Sequence, residues 1–179
     1  MAEATVAMSA VNSILSYLEA HFFKTRAEKV AFLDVIKLKE EHLASLEQRL
    51  PVSHYHAVWL KVLELTGDQA IGLHIGSYHN PNCMSLVSNL FVHSSNLEQG
   101  LEQYIEYAKL LNMGMQIDIE KDGENTKLKF LYLNRDYYSL QEIERTRKAA
   151  LLCFVPLYKA GRNQLKNKVQ KCKITLQTF

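Results

Sequence analysis

Apolar residues in the first two-thirds of the chain recur with the period of a helix. Val11, Ile14, Leu15, Leu18 and Phe22 fall at i, i+3, i+4, i+7 and i+11, the stripe of an amphipathic helix. Thr25-Arg-Ala-Glu28 has the S/T-x-x-E form of a capping box, which predicts a second helix starting there and running through VAFLDVIK (30–37). A short helix is expected around His42 to Arg49. Pro51 fits the first turn of the next helix, where its missing N–H costs nothing. Tyr55, Val58, Trp59 and Val62 form that helix's stripe. Leu60, Leu63 and Leu65 lie off it, so the helix is predicted to be apolar on most sides and central. Gly67 suits its C-cap and Asp68 the N-cap of the next helical turn. Asn80-Pro81 predicts a break.

A second capping box, Ser95-Asn-Leu-Glu98, opens a helix with Leu97, Leu101, Tyr104, Ile105, Ala108 and Leu111 on one face. Asn112 and Gly114 stop it. The period then changes to two. Met115, Ile117 and Ile119 alternate with Gln116, Asp118 and Glu120, KDGEN (121–125) is a turn, and Thr126 to Leu133 returns as the second strand of a β-hairpin. A third box, Ser139-Leu-Gln-Glu142, opens a long helix with Leu140, Ile143, Ala150, Leu151, Phe154 and Tyr158 on its stripe. Pro156 is expected to kink it and Gly161 to cap it. RNQLKNKVQKCK (162–173), with five basic residues and no acid, reads as a solvated connector before a strand-like ITLQTF (174–179). The fold class read from this pattern is α+β: a single, mainly helical domain over 1–179 with a β-hairpin or small antiparallel sheet.

Composition narrows the class. Apolar residues make up 47% of the 179, enough for a sizeable core, and 7 glycines with 3 prolines argue against linker or disordered chain. A formal charge of +2, from 21 basic and 19 acidic residues, is too balanced for a nucleic-acid-coating surface. Cys83, Cys153 and Cys172 are widely spaced and form no CxxC, so they are read as reduced thiols in a cytoplasmic protein. The N-terminus lacks the basic region of a signal peptide, and no 18-residue apolar run predicts a membrane span.

Several residues carry chemistry by type. Gly72 and Gly76, four apart, would face one side of a helix and permit close packing, and neither GxxxxGK[ST] nor GxGxxG is present to hold a phosphate. His74, His79 and Cys83 are spaced H-x4-H-x3-C, with no CxxC or HExxH to reinforce them, so no metal and no cofactor are expected. Ser94 and Ser95 lack a nucleophile elbow. Glu98, Glu102 and Glu106 read as a solvated helix stripe. No nucleophile–base–oxyanion set can be assembled, so no enzyme is expected. Arg147 sits on the apolar stripe of its helix, seven after Leu140 and four after Ile143. Either it snorkels or pairs with an acid such as Glu144, or it forms a fork for a carboxylate. The aromatics Trp59, Tyr104, Tyr107, Phe130, Tyr132 and Phe154 suit a core, or in part the wall of an apolar pocket. The candidate ligand-binding residues are therefore Trp59, Tyr104, Tyr107 and Arg147.

Two blocks carry a resemblance. LPVSHYHAVWLKVLELTGDQAIGLHIG (50–76) resembles a Pro-led helix followed by T-G-D-x-x-x-G-L-x-x-G, met here as Pro51, Thr66, Gly67, Asp68, Gly72, Leu73 and Gly76. HSSNLEQGLEQYIEYAKLLNMGMQIDIE (93–120) resembles a serine-rich capped turn, a helix and a strand. Both are similar to the N-terminal regulatory, "arabinose-binding-like" domain of AraC-type bacterial transcription regulators, over about residues 5 to 179. The chain departs from that pattern at Ser85 and Ser88, and at His74, where an arginine is common. The resemblance implies an effector-sensing and dimerisation domain in the bacterial cytoplasm. Its partners would be a small-molecule effector, carboxylate-bearing if Arg147 is the fork, and a second copy. DNA would be reached only through a C-terminal helix-turn-helix domain absent from this chain. Two rivals are a ligand-free dimerisation module and a small enzyme.

Overall fold

The computed structural model describes residues 3–46, 48–78, 85–122 and 125–132. A short strand, β1 (Thr5–Ala7), leads into α1 (Met8–His21), α2 (Arg26–Val35) and the single turn α3 (Glu40–Leu43). β2 (Arg49–Pro51) pairs antiparallel with β1, Val6 opposite Leu50. Then come α4 (Val52–Thr66), α5 (Ile71–Ser77), α6 (Leu86–Val92), α7 (Leu97–Leu111) and a hairpin of β3 (Met115–Asp122) with β4 (Asn125–Tyr132). The described residues are mainly helical with two small antiparallel pairs, the α+β class that the pattern predicts. The third capping box, the Pro156 helix, the Asn80-Pro81 break, the basic connector and the terminal strand lie outside the described residues.

The helix stripes become the core. Val11, Ile14, Leu15 and Leu18 of α1 are buried with Phe32 and Leu33 of α2, Tyr55, Val58, Trp59 and Val62 of α4, and Ile71 and Ile75 of α5. Thr25 caps α2 as its sequence predicts: the hydroxyl accepts from Glu28 N–H, and the Glu28 carboxylate accepts from Thr25 N–H. Gly67 ends α4 at φ 63°, the left-handed region that suits glycine, and its N–H donates to Leu63 O. On α5 the buried face is Ile71, Gly72, Ile75 and Gly76, so the paired glycines lie on the packed side.

Four expectations need correction. Leu60 and Leu65 are 49% and 46% exposed, so α4 is amphipathic: its predicted stripe is core together with Val52, and of the three off-stripe leucines only Leu63 packs partly against it. The short helix is Glu40–Leu43, and Arg49 lies in a strand instead. Pro51 stands before α4, extended and opposite Thr5, while Val52 N–H, the first in the helix, donates to Ala4 O. The hairpin strands also claim Lys121, Asp122 and Asn125, leaving two residues between them where five were read as the turn.

β1 and β2 are too short for a period to show, and their pairing spans more than forty residues of sequence. Arg49 explains why they hold. Its Nε donates to Thr5 Oγ1 at 2.9 Å and its Nη2 to Thr5 O at 2.7 Å. The same guanidinium donates to Leu110 O and Lys109 O at the C-terminal end of α7, where a cation also meets the negative end of the helix dipole. Met113 N–H donates to Thr5 O at 2.9 Å, and Val6 bridges Asn112. The end of α7 is thereby fastened to the β1–β2 ribbon. The hairpin packs on α7 through buried Met115, Ile117 and Phe130, with Lys129 and Glu120 paired at 2.7 Å on its other face.

Candidate functional site

The Gly67-Asp68 corner is built as architecture. Asp68 Oδ1 accepts from Ala70 N–H at 2.8 Å, and its backbone carbonyl accepts from Ile71 N–H. The residue formally at the N-cap of α5 is Ala70, so Asp68 closes the turn before the helix and does not cap it directly. Its Oδ2 lies 2.7 Å from His74 Nδ1, in the first turn of α5. The Ala70 N–H holds the Asp68 carboxyl below its ordinary value; burial opposes this, and the His74 contact adds to it. Burial, and then the Asp68 charge, push the Tyr17 hydroxyl up. Tyr17, His21 and Tyr78 close the α1–α5 seam with ring centroids 4.5–5.6 Å apart, which leaves no room between them for a ligand.

A depressed folded-state carboxyl contributes stability above the unfolded aspartate value, about 3.9, and loses it as pH falls through the lower folded value. Asp68→Asn is therefore expected to be less stable than the parent at neutral pH. The difference should shrink as the pH is lowered below about 4. Melting temperatures of both proteins between neutral and acid pH measure this. A gap that stays constant to the lowest pH would show that the Asp68 charge contributes nothing.

Among the described residues an open, shallow cleft lies between α6 and α7. Its volume is about 430 Å³, comparable with small-molecule sites of about 300–1,000 Å³, but most of its lining side chains are exposed to solvent. Leu86, Asn89 and Leu90 line it from α6; His93, Ser94 and Ser95 from the turn; Gln99 and Gln103 from α7. None of these described residues is Asp, Glu, Lys or Arg, so they give the wall no permanent charge. The turn is set by a cap that the sequence pattern misplaces by one residue. Asn96, not Ser95, is the N-cap: its Oδ1 accepts from Gln99 N–H at 2.9 Å. Asn binds the first helical N–H groups at least as well as Ser. Ser95 is released to a different task, donating from both N–H (3.2 Å) and Oγ (2.6 Å) to Gln99 Oε1. Ser94 Oγ sits 2.8 Å from Leu90 O and 2.9 Å from the Gln103 amide. The two serines thus position the two glutamines, four apart on one face of α7.

The residues singled out from sequence fall elsewhere. Trp59 is 2% exposed, edge-on to Tyr55 with centroids 6.4 Å apart, inside the helical core. Tyr104 is half-buried and Tyr107 37% exposed, on the turn of α7 that follows Gln103. Trp59 belongs to α4, which packs on β1 and β2, while α7 packs on α6, β3 and β1. Arg147, His79 and Cys83 lie outside the described residues. Among those described, no three His, Cys, Asp or Glu side chains converge as metal ligands, and no helix is long and apolar enough to cross a membrane. Sequence reasoning passed over His93, Gln99 and Gln103. The available signal was Gln99 and Gln103 standing four apart, off the apolar stripe, just after two serines.

The model of one protein family, described as the arabinose-binding domain of AraC transcription regulators, N-terminal, matches residues 29–158, well over half of the chain. No curated protein matches it. The matched span runs from within α2 through β4, and includes every lining residue of the α6–α7 cleft named above.

Proposed function

The chain belongs to the N-terminal arabinose-binding domain family of AraC transcription regulators, and on that premise we propose that it senses a small-molecule effector in the α6–α7 cleft. The observation that carries the reading is an open hollow inside the matched span whose described lining is hydrogen-bonding and without Asp, Glu, Lys or Arg. A regulatory domain needs a ligand site that is also coupled to something. α7 supplies the coupling: its first turns line the cleft, and its last turn is held by Arg49 on the β1–β2 ribbon. A ligand that fits one spacing of α6 and α7 better than another shifts the population toward that spacing, by no more than its difference in affinity. The helix carries the shift to β3 and the ribbon. In a bacterial, cytoplasmic, dimeric regulator the recipient is the DNA-binding unit, and no chemistry is done on the effector.

A longer ligand would reach Tyr107, one turn past Gln103 on α7, while Tyr104 stands on that helix's apolar stripe and is a candidate only if the ligand extends there. A part for Trp59 requires the core to open, and Arg147 remains a candidate carboxylate fork.

The test is thermal stabilisation by a panel of small molecules that includes arabinose. A ligand of the native state raises stability by about 2.7 kcal/mol at a hundred times its Kd. Leu90→Trp places a large ring in the cleft from a position already 39% exposed. We expect a saturable rise in Tm in the parent and its loss in Leu90→Trp. Undiminished stabilisation in that variant would move the site elsewhere. A panel that stabilises nothing, with a stable dimer by sedimentation, would favour the ligand-free dimerisation module.

A further inference from the structure

We infer that the α6–α7 cleft selects a ligand with a neutral carbonyl head, best matched by a primary carboxamide, on a short apolar body; this rests on the cleft being the effector site. The Gln99 amide is fixed in orientation. A backbone N–H can only donate, and Ser95 N–H points at Gln99 Oε1 at 3.2 Å, joined by the Ser95 hydroxyl at 2.6 Å. The oxygen end is therefore taken. The other end, Nε2, is a pure donor with no hydrogen-bond partner among the described residues, and it belongs to a side chain that lines the cleft.

Gln103 is different. Ser94 has one hydroxyl proton and lies within reach of both Leu90 O and the Gln103 amide. With the proton on Gln103 Oε1, the glutamine shows its Nε2 to the cleft. With the proton on Leu90 O, Gln103 Nε2 donates to the Ser94 lone pair and Oε1 faces the cleft. Gln103 therefore meets either a donor or an acceptor. One fixed donor beside one group that serves as either is the complement of a carboxamide, whose oxygen accepts from Gln99 and whose NH2 donates to Gln103.

Charge separates this head from its rivals. Among the described residues no Lys or Arg lines the cleft, so a carboxylate would lose water without gaining a permanent cation from them. Among the described residues no Asp or Glu lines it either, so an ammonium would meet only neutral acceptors, without a counter-charge. Leu86 and Leu90 give the apolar wall for the body of the ligand.

The experiment titrates hexanamide, hexanoate, hexylamine and arabinose into the full chain by calorimetry, with Gln99→Glu and Leu90→Trp as variants. Glu at 99 still accepts from Ser95, so the turn is kept while the donor is replaced by a charged acceptor. Hexanamide is expected to bind best, and Gln99→Glu to weaken it about tenfold, the worth of one hydrogen bond, with Tm little changed. Tighter binding of hexanoate, hexylamine or arabinose, an unchanged affinity in Gln99→Glu, or no binding by any probe overturns the inference. If another compound stabilises the parent but not Leu90→Trp while hexanamide fails, the head assignment falls and the cleft stands. If a probe binds Leu90→Trp as well as the parent, the cleft reading itself falls.

Discussion

Trp59→Ala is expected to lower the stability of the domain by about 3–5 kcal/mol, the range for deleting a large buried aromatic. The indole lies at 2% exposure among Tyr55, Val58 and Val62, on the helix that packs against the β1–β2 ribbon. Its removal takes away apolar burial and leaves a cavity that close-packed neighbours fill only partly. At this chain length the change corresponds to a fall in Tm of roughly 6–20 °C. Urea unfolding followed by circular dichroism measures it. Trp59→Phe keeps most of the volume and should cost far less. The pair also decides whether Trp59 touches effector. A core residue moves stability in both variants and leaves affinity in Trp59→Phe intact, whereas a pocket wall would show the reverse in Trp59→Phe.

Arg49→Met is expected to cost about 2–3 kcal/mol, because hydrogen bonds to a charged donor each contribute about 1.5–3 kcal/mol and this side chain makes several. Methionine retains the stem, so the loss isolates the guanidinium. Its effect should be local as well as global. Backbone carbonyls of Thr5, Lys109 and Leu110 lose their shared donor, and the end of α7 loses its tie to the ribbon. Hydrogen exchange should accelerate most from Leu110 to Met113 and at Thr5–Ala7. Arg49→Lys should rescue little, since one ammonium cannot span the fork from Thr5 to Leu110. Unchanged stability with unchanged exchange at those sites would show that the ribbon is held by its strand pairing alone.

What the sequence made legible follows from the length of each pattern. α1, α4 and α7 repeat their apolar stripe over two turns or more, α2 opens on its capping box, and β3 and β4 alternate over most of their length, so local order announces them. β1 and β2 are three residues each and exist because distant parts of the chain meet. Leu60 and Leu65 were read as core because apolar type does not by itself say which side faces in. The Ser95 box was misplaced because Ser95 and Asn96 are both good caps; the choice is made by Gln99, whose side chain takes Ser95. The cleft was not legible for the same reason. It is made by hydrogen bonds from a turn to a helix, between residues whose types are ordinary for a solvated face. At the TGD corner Asp68 works through Ala70 and His74, one step away from the cap that its position in the sequence predicts.

The measurement that bears most directly on effector sensing is hydrogen exchange across the chain, with and without a saturating concentration of the compound that raises Tm. The predicted result is protection of the amides between 86 and 103, followed by a smaller change at the Arg49-held end of α7. Protection confined to the α1–α5 seam around Tyr17 and Tyr78, with 86–103 unchanged, would contradict the assignment of the cleft.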